Sequence, residues 1–194
     1  MTFRLGLTGS IGMGKSTTAG FFAAEGIPVW DADAAVHRLY APGGGAVGPL
    51  TAIWPQVTND GGIDRTALRQ IITADPSALK SVEAIVHPLV QADRAAFLST
   101  ASADIVLLDI PLLFETGAET TMDATLLVTA PSVLQRQRVL ARPGMTEASF
   151  HAILSRQLPD AEKRARATHI IETLGLDAAR AAVQALIAYI RTRP

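Results

Sequence analysis

The sequence contains no cysteine, which excludes disulfide bonds, thiolate metal sites and thiol-based catalysis within the chain. It also lacks an excess of charge of either sign: 17 Lys and Arg face 18 Asp and Glu, for a formal net charge of −1. A balanced charge gives no electrostatic reason to expect nucleic acid or a membrane surface as a partner. The four histidines lack the spacing of metal ligands. No obligate protein partner is visible in the sequence either.

Long hydrophobic runs are also absent. The apolar stretch over 105–114 is interrupted by Asp109 and Pro111 and is too short to span a bilayer. No apolar stretch near Met1 has the length of a signal peptide. The chain nevertheless has 48% hydrophobic residues and a mean hydropathy of +0.26, which is typical of a well-packed globule. We therefore expect a cytoplasmic protein with one domain and room for an inserted lobe.

A glycine-rich motif follows the first apolar segment. The residues Gly9-Ser10-Ile11-Gly12-Met13-Gly14-Lys15-Ser16 match the template G-x-x-x-x-G-K-[ST]. Such a loop directs backbone N–H groups at phosphate oxygens, its lysine reaches the outer phosphates, and its hydroxyl binds Mg²⁺. A helix beginning near the lysine adds its positive N-terminal end to the same phosphate-binding site. The motif predicts binding of a nucleoside triphosphate by Gly9, Ile11, Gly12, Met13, Gly14, Lys15, Ser16 and Thr17, with Ser16 as a metal ligand.

Short apolar runs alternate with longer amphipathic ones, which predicts an α/β fold with a five-stranded parallel sheet flanked by helices, of the P-loop NTPase type. We expect strands at about 3–8, 27–30, 104–109, 124–129 and 168–172. We expect helices near 15–25, 34–40, 47–55, 64–73, 77–99, 131–142, 146–157, 160–167 and 176–192.

The connection over 31–103 is far longer than a simple crossover requires. It reads as helices separated by turn-rich pieces at 41–45 and 58–62. This favours an inserted helical lobe over the edge of the sheet where ligands bind, with a nucleotide-binding core over 1–30 and 104–194. Plain extra scaffold is the alternative. Pro88 follows His87 within a helical pattern of this lobe, which predicts a kink or a helix start.

Carboxylates follow two of the predicted strands. Asp31 and Asp33 come directly after the second strand, where a carboxylate can accept a proton from an attacking hydroxyl or help position Mg²⁺. Asp33 could equally cap the next helix. Asp109 ends the buried third strand and is placed like a Walker B aspartate, which contacts Mg²⁺. Glu115 is either a second polar contact at the site or an ordinary helix-start glutamate.

Arginines cluster on the predicted helix over 131–142. Arg138 and Arg142 are four residues apart and would share a face with each other. In small P-loop kinases, arginines of a helical lid meet the charge on the transferred phosphoryl group. The region 142–166 would be that lid; a solvated basic helix is the alternative. The run Lys163-Arg164-Ala165-Arg166 reads as a solvated helix face.

Together these motifs make the chain resemble the dephospho-CoA kinase family, from about residue 4 to 190. The resemblance is carried by Leu7-Thr8-Gly9-Ser10-Ile11-Gly12-Met13-Gly14-Lys15-Ser16-Thr17, Asp31-Ala32-Asp33, His87-Pro88-Leu89, Pro111-Leu112-Leu113-Phe114-Glu115, Arg138 with Arg142, and Gln157. The chain has Thr173 where many members have asparagine.

The resemblance implies transfer of a phosphoryl group from ATP, with Mg²⁺, to the 3′-hydroxyl of dephospho-CoA, the last step of CoA synthesis. It implies that Asp33 is the general base and that Lys15, Arg138 and Arg142 act in catalysis. The acceptor side corresponds to Asp31, His87, Pro111, Leu112, Leu113 and Glu115, and the metal side to Ser16 and Asp109. By the same resemblance, the insert over 31–103 corresponds to the CoA-binding helical lobe of the family, and 142–166 to its lid.

Two other functions share the P-loop. Another small-metabolite kinase, for a nucleoside monophosphate or a sugar acid, would have the same core. A nucleotide-dependent switch or motor would use the loop without phosphorylating a metabolite. A guanine switch reads its base through Asn-Lys-x-Asp, whereas the sole asparagine here, Asn59, is followed by Asp60. The sequence therefore lacks this motif, and we do not expect a guanine switch.

Overall fold

The computed structural model describes residues 2–192 and divides the chain into two compact units. The core unit combines the described residues up to Trp30 with those from Ala101 onward, and the inserted unit is Asp31–Thr100. Each unit has its own hydrophobic core. The inserted unit is therefore a separately packed body and not a long surface loop.

The chain begins with β1 (Phe3–Thr8), α1 (Lys15–Ala24) and β2 (Val29–Asp31). The inserted unit contributes α2 (Ala32–Tyr40), α3 (Val47–Ile53), β3 (Thr58–Asn59), β4 (Gly62–Ile63), α4 (Arg65–Ala74) and α5 (Ala78–Thr100). The core unit then resumes with β5 (Ile105–Asp109), β6 (Ala124–Thr129), α6 (Ser132–Leu140), α7 (Glu147–Leu154), α8 (Asp160–Arg166), β7 (His169–Glu172) and α9 (Leu176–Arg191).

The central sheet has five strands in the order β2-β5-β1-β6-β7. The pairings of β1 with β5, β1 with β6, and β6 with β7 are parallel. Every residue of β5 and β6 is buried, which explains why these strands are written as continuous apolar runs. The predicted five-stranded parallel sheet with flanking helices is confirmed.

Helices α1 and α9 cover one region of this sheet. Phe22 of α1 and Val183 of α9 are fully buried in the same cluster as Leu5, Leu126 and other strand residues. Burying a large apolar side chain contributes about 1.5–3 kcal/mol. This packing holds β1 and the start of α1, and thus the loop between them, on a rigid support.

The register of the parallel strands determines what lies at the end of β1. Leu7 of β1 is paired with Asp109, the last residue of β5. The chain after β5 stays against β1, because Ile110 N donates to Leu7 O (2.9 Å) and Thr8 Oγ1 donates to Pro111 O (3.0 Å). The end of β5 is therefore fixed beside the start of the glycine-rich loop.

The inserted unit contains a small hairpin that the sequence did not predict. Strands β3 and β4 pair Thr58 with Ile63 and Asn59 with Gly62. Between them, Asp60 (φ 48°) and Gly61 (φ 78°) adopt the positive φ values of the tight turns that join such strands. Strands of two residues are too short to show alternation, so only the turn was visible in the sequence.

The expectation of a helix start at His87-Pro88 is wrong. Pro88 lies inside α5, which continues from Ala78 to Thr100. Proline removes one backbone donor from an interior turn, but the helix is held by its buried positions, among them Val82 and Val86. His87 itself is exposed.

The capping role considered for Asp33 belongs to Asp31. Helix α2 begins at Ala32, and the Asp31 carboxylate accepts a hydrogen bond from Ala34 N at 2.9 Å. Asp33 lies in the first turn of α2 with an exposed side chain. The helix begins two residues earlier than predicted, which moves the cap from Asp33 to Asp31.

We predict that Asp31→Ala lowers the free energy of unfolding by about 1 kcal/mol, because it removes the N-cap acceptor. Asp31→Asn keeps an acceptor and should retain most of that stability. Asp33→Ala should change it by less than about 0.5 kcal/mol. Urea unfolding of the three variants measures this, and an equal loss in Asp31→Ala and Asp33→Ala would contradict the assignment.

Candidate active site

The glycine-rich loop runs from the end of β1 to the start of α1, and its glycines are required by geometry. Gly12 and Gly14 have φ values of 79° and 89°, where other residues are strained. At Gly9, a Cβ would lie 2.5 Å from Val128 Cγ2 and 2.8 Å from Val128 O. The loop conformation is thus available only to a sequence with glycine at these positions.

The start of α1 is suited to an anion. Gly14 is the N-cap and offers no side-chain acceptor, and no acidic residue lies in the first turn. First-turn N–H groups and the helix dipole therefore remain for a negatively charged ligand. Ser16 and Thr17 are exposed at this end. The arrangement can hold phosphate oxygens, as the sequence motif predicts.

Lys15 and Asp109 form an ion pair. Lys15 Nζ lies 2.6 Å from Asp109 Oδ1, and both side chains are largely buried, with 16% and 2% of their surface exposed. The pair follows from the strand register, because Asp109 ends β5 beside β1 and Lys15 begins the helix after the loop. The placement of Asp109 near the loop is therefore a property of this fold.

Two loop amides are already bonded within the protein. Ile11 N donates to Gln157 Oε1 (3.2 Å), and Met13 N donates to Ser10 O (3.1 Å). The sequence motif counted Ile11 and Met13 among the nucleotide-binding residues. Their contribution through these N–H groups stays a prediction.

The predicted arginine pair is divided by the end of α6. Arg138 lies on α6, where its guanidinium donates to Thr173 Oγ1 (3.0 Å) and Thr173 O (2.5 Å). Arg142 lies beyond the C-cap Ala141, so the two do not share a helix face as expected. Helix α6 ends two residues earlier than predicted, before Pro143-Gly144. Arg142 is exposed.

The segment 111–115 after β5 has no helix, so Glu115 does not begin one, which was one of the two alternatives for this residue. Leu113 is fully buried and packs in the protein interior. Leu112 is 39% exposed. Of these two apolar side chains, Leu112 is the one that a ligand can reach without rearrangement of the chain.

Glu115 forms a buried ion pair with Lys163, which corrects the expectation that residues 163–166 are a solvated face. Lys163 has no exposed surface, and its Nζ lies 2.9 Å from Glu115 Oε1, at ion-pair distance but without hydrogen-bond alignment. The same oxygen accepts from Leu158 N at 2.8 Å. Burial raises the pKa of Glu115, but Lys163 and the Leu158 N–H outweigh this and hold the pKa below its usual value.

The neighbouring arginines of α8 also form ion pairs. Arg164 pairs with Asp160 (2.7 Å) and Glu172 (3.1 Å). Arg166 pairs with Glu119, donates to Phe114 O (3.2 Å) and lies over the Phe114 ring at 4.9 Å. Helix α8 has only seven residues, so its sequence contained too few positions to reveal which face is buried.

The candidate acceptor residues of the inserted unit lie on α2 and α5. Asp33 and His87 are exposed, and Asp31 is half-buried and caps α2. This unit also has a cleft of about 540 Å³. It is lined by His37, Tyr40, Ala41, Pro42, Asn59, Asp60, Gly62, Ile63, Asp64 and Arg65. Because none of the predicted acceptor residues lines the cleft, we assign it no role in the reaction.

Sequence reasoning missed several residues that support the loop. Gln135 Nε2 donates to Ile11 O (2.8 Å), and Thr173 Oγ1 donates to Met13 O (2.8 Å). Gln157 was noticed only as part of the family resemblance. A buried glutamine on α6 has no local sequence signature, because its partner is 124 residues away.

We predict that Lys163→Met lowers the free energy of unfolding by about 3 kcal/mol, since it leaves the Glu115 carboxylate buried without its cation. The double variant Lys163→Met with Glu115→Leu should recover much of this loss. Lys80→Met, at an exposed lysine, is the matched control and should be within about 0.5 kcal/mol of the unsubstituted protein. Denaturant unfolding measures all three, and an equally small effect at Lys163 and Lys80 would contradict the burial of this pair.

None of the helices over residues 2–192 combines the length and the apolar character that a membrane span requires.

Comparisons with known proteins establish the family of the chain. The dephospho-CoA kinase family model matches residues 3–176. The dephospho-CoA kinase of Cereibacter sphaeroides is 72% identical over 97% of this chain and 96% of its own length. The crystal structure of TT1252 from Thermus thermophilus is 39% identical, covers 97% of both chains and superposes with a TM-score of 0.86. Dephospho-CoA kinase from Campylobacter jejuni, at 24% identity and 98% coverage of both chains, has the same fold with a TM-score of 0.73. A match of this length and identity means that the chain belongs to the dephospho-CoA kinase family.

Proposed function

We propose that this chain transfers the γ-phosphoryl group of ATP to the 3′-hydroxyl of dephospho-CoA, giving CoA and ADP, the last step of CoA synthesis. The observation that carries the proposal is family membership over nearly the whole chain, combined with a glycine-rich loop that ends in the Lys15–Asp109 pair. We expect the reaction to take place in the cytoplasm and to need no obligate protein partner.

The core unit binds the phosphates of ATP. First-turn N–H groups of α1 donate hydrogen bonds to the polyphosphate oxygens, and the positive end of the helix favours their negative charge. The Lys15 ammonium, held at Asp109, neutralises the outer phosphates. Such transfer needs little covalent chemistry from the protein, so positioning and electrostatics supply most of the acceleration.

Mg²⁺ fits the donors at this site. Ser16 presents an exposed hydroxyl, and Asp109 a carboxylate whose Oδ1 already pairs with a cation. Hydroxyl and carboxylate oxygens are the hard ligands that Mg²⁺ prefers, together with substrate phosphates. We propose that Ser16 and Asp109 hold the ion, which when bound neutralises charge on the β- and γ-phosphates.

Asp33 accepts the proton of the attacking 3′-hydroxyl. Its carboxylate is exposed, and because Asp31 caps α2, Asp33 does not take part in the cap. A carboxylate within reach of an attacking hydroxyl can accept its proton as a general base. Of the remaining acceptor residues, we propose that exposed His87 and Leu112 contact the CoA portion of the acceptor.

The two arginines have different tasks. Arg142 is exposed, and we assign to it the stabilisation of charge on the transferred phosphoryl group. Arg138 makes two bonds to Thr173, which it would have to give up to reach a phosphate. We therefore assign Arg138 to positioning through Thr173.

An acceptor panel tests the function. Purified protein with Mg·ATP should release ADP rapidly with dephospho-CoA, and only at background rates with AMP, CMP, shikimate or gluconate. A coupled ADP assay measures the rate, and mass spectrometry should find one phosphate added to the acceptor. Equal or faster ADP release with another acceptor would refute the assignment.

We predict that Asp33→Asn lowers kcat by roughly 10²–10⁴-fold, because the amide cannot accept the hydroxyl proton. The affinity for Mg·ATP should change little. Asp60→Asn is the matched control: Asp60 is an exposed aspartate of the same unit, and asparagine tolerates its positive φ. Near-normal turnover in Asp33→Asn would remove Asp33 from the role of base.

A further inference from the structure

The peptide groups of Ile11 in the glycine-rich loop are held by two glutamine side chains. Ile11 N donates to Gln157 Oε1 at 3.2 Å, and Ile11 O accepts from Gln135 Nε2 at 2.8 Å. One glutamine therefore acts as an acceptor and the other as a donor at the same residue. Neither side chain carries a charge that would compete with a polyphosphate.

Both glutamines are themselves fixed. Gln135 lies on α6 and is buried. Gln157 lies between α7 and α8, and the next residue, Leu158, donates its N–H to Glu115 Oε1. The same oxygen pairs with fully buried Lys163 at 2.9 Å. The acceptor for the Ile11 amide is thus attached, one residue away, to a buried ion pair.

A second contact restrains the loop two residues further along. Thr173 Oγ1 donates to Met13 O at 2.8 Å. The Arg138 guanidinium in turn donates to the hydroxyl and to the backbone carbonyl of Thr173. Between these anchors, Gly12 lies against α6, since a Cβ there would be 2.5 Å from Val139 Cγ2. The loop is held by side chains at Ile11 and Met13 and by packing at Gly12.

We propose that Gln157 and Gln135 are positioning residues for ATP. By fixing the orientation of the Ile11 peptides, they keep the loop in its binding conformation before ATP arrives. A loop that is already ordered loses less conformational entropy on binding, so the affinity for ATP is higher. The inference rests on ATP binding by this loop, as proposed above, but not on the identity of the acceptor.

The test compares Gln157→Leu with Gln137→Leu, a matched change at an exposed glutamine of α6. In the protein without ATP, hydrogen exchange of the Ile11 amide, measured by NMR, should be about three- to tenfold faster in Gln157→Leu. The Kd for Mg·ATP by calorimetry should rise by a similar factor. Gln157→Glu keeps an acceptor and should retain the protection of the Ile11 amide. Gln137→Leu should match the unsubstituted protein in both measurements.

Steady-state kinetics separate positioning from general damage. Gln157→Leu should raise KM for ATP, while kcat at saturating ATP and KM for dephospho-CoA stay nearly constant. Gln135→Met, which removes the donor to Ile11 O, should also raise the Kd for Mg·ATP and tests the inference if Gln157→Leu does not fold.

Unchanged Ile11 exchange or unchanged ATP affinity in folded Gln157→Leu would overturn the inference, as would an equal loss of affinity in Gln137→Leu. Unsubstituted protein that binds Mg·ATP but does not phosphorylate dephospho-CoA would refute the proposed function and leave this inference standing.

Discussion

The parallel pairing of β1 with β5 is the constraint on which the nucleotide side of this protein depends. It places Asp109 opposite Leu7, at the point where the chain leaves the sheet and enters the glycine-rich loop. Lys15, on the far side of that loop, then meets a nearly buried carboxylate at 2.6 Å. A shift of one residue in this register would send Asp109 to the opposite face of the sheet and away from Lys15.

Side chains from the surrounding elements bind the backbone of the glycine-rich loop. A chain that presents N–H groups to a polyanion cannot also satisfy itself with regular secondary structure. Here the surrounding elements supply the missing bonds: α6 through Gln135, the segment before α8 through Gln157, and the residue after β7 through Thr173. Buried Lys163 and Glu115 belong to the same support, since Glu115 binds the N–H of Leu158. The residues that support the loop are therefore different from those proposed to bind the phosphates.

In the inserted unit, the residues that stabilise the fold differ from those proposed to bind the acceptor. Its helices and hairpin enclose a hydrophobic core of their own, which includes Leu50, Val57 and Val86. Residues proposed for the acceptor, such as Asp33 and His87, are exposed on helices that this core holds in place. Chemistry can thus be carried by a few exposed side chains while stability comes from buried ones.

Features written in consecutive residues were determined by the sequence alone. The glycine-rich motif, the apolar runs of β5 and β6, and the helical periodicities each depend on local geometry, so fold class and family could be predicted from them. Features that depend on distant partners were decided only by the tertiary structure. Lys163 looked like a solvated lysine because its partner Glu115 is far away in the chain, and Gln135 had no visible task until α6 packed against Ile11. The N-cap of α2 is Asp31 and not Asp33, because the exact first turn of a helix depends on packing as well as on propensity.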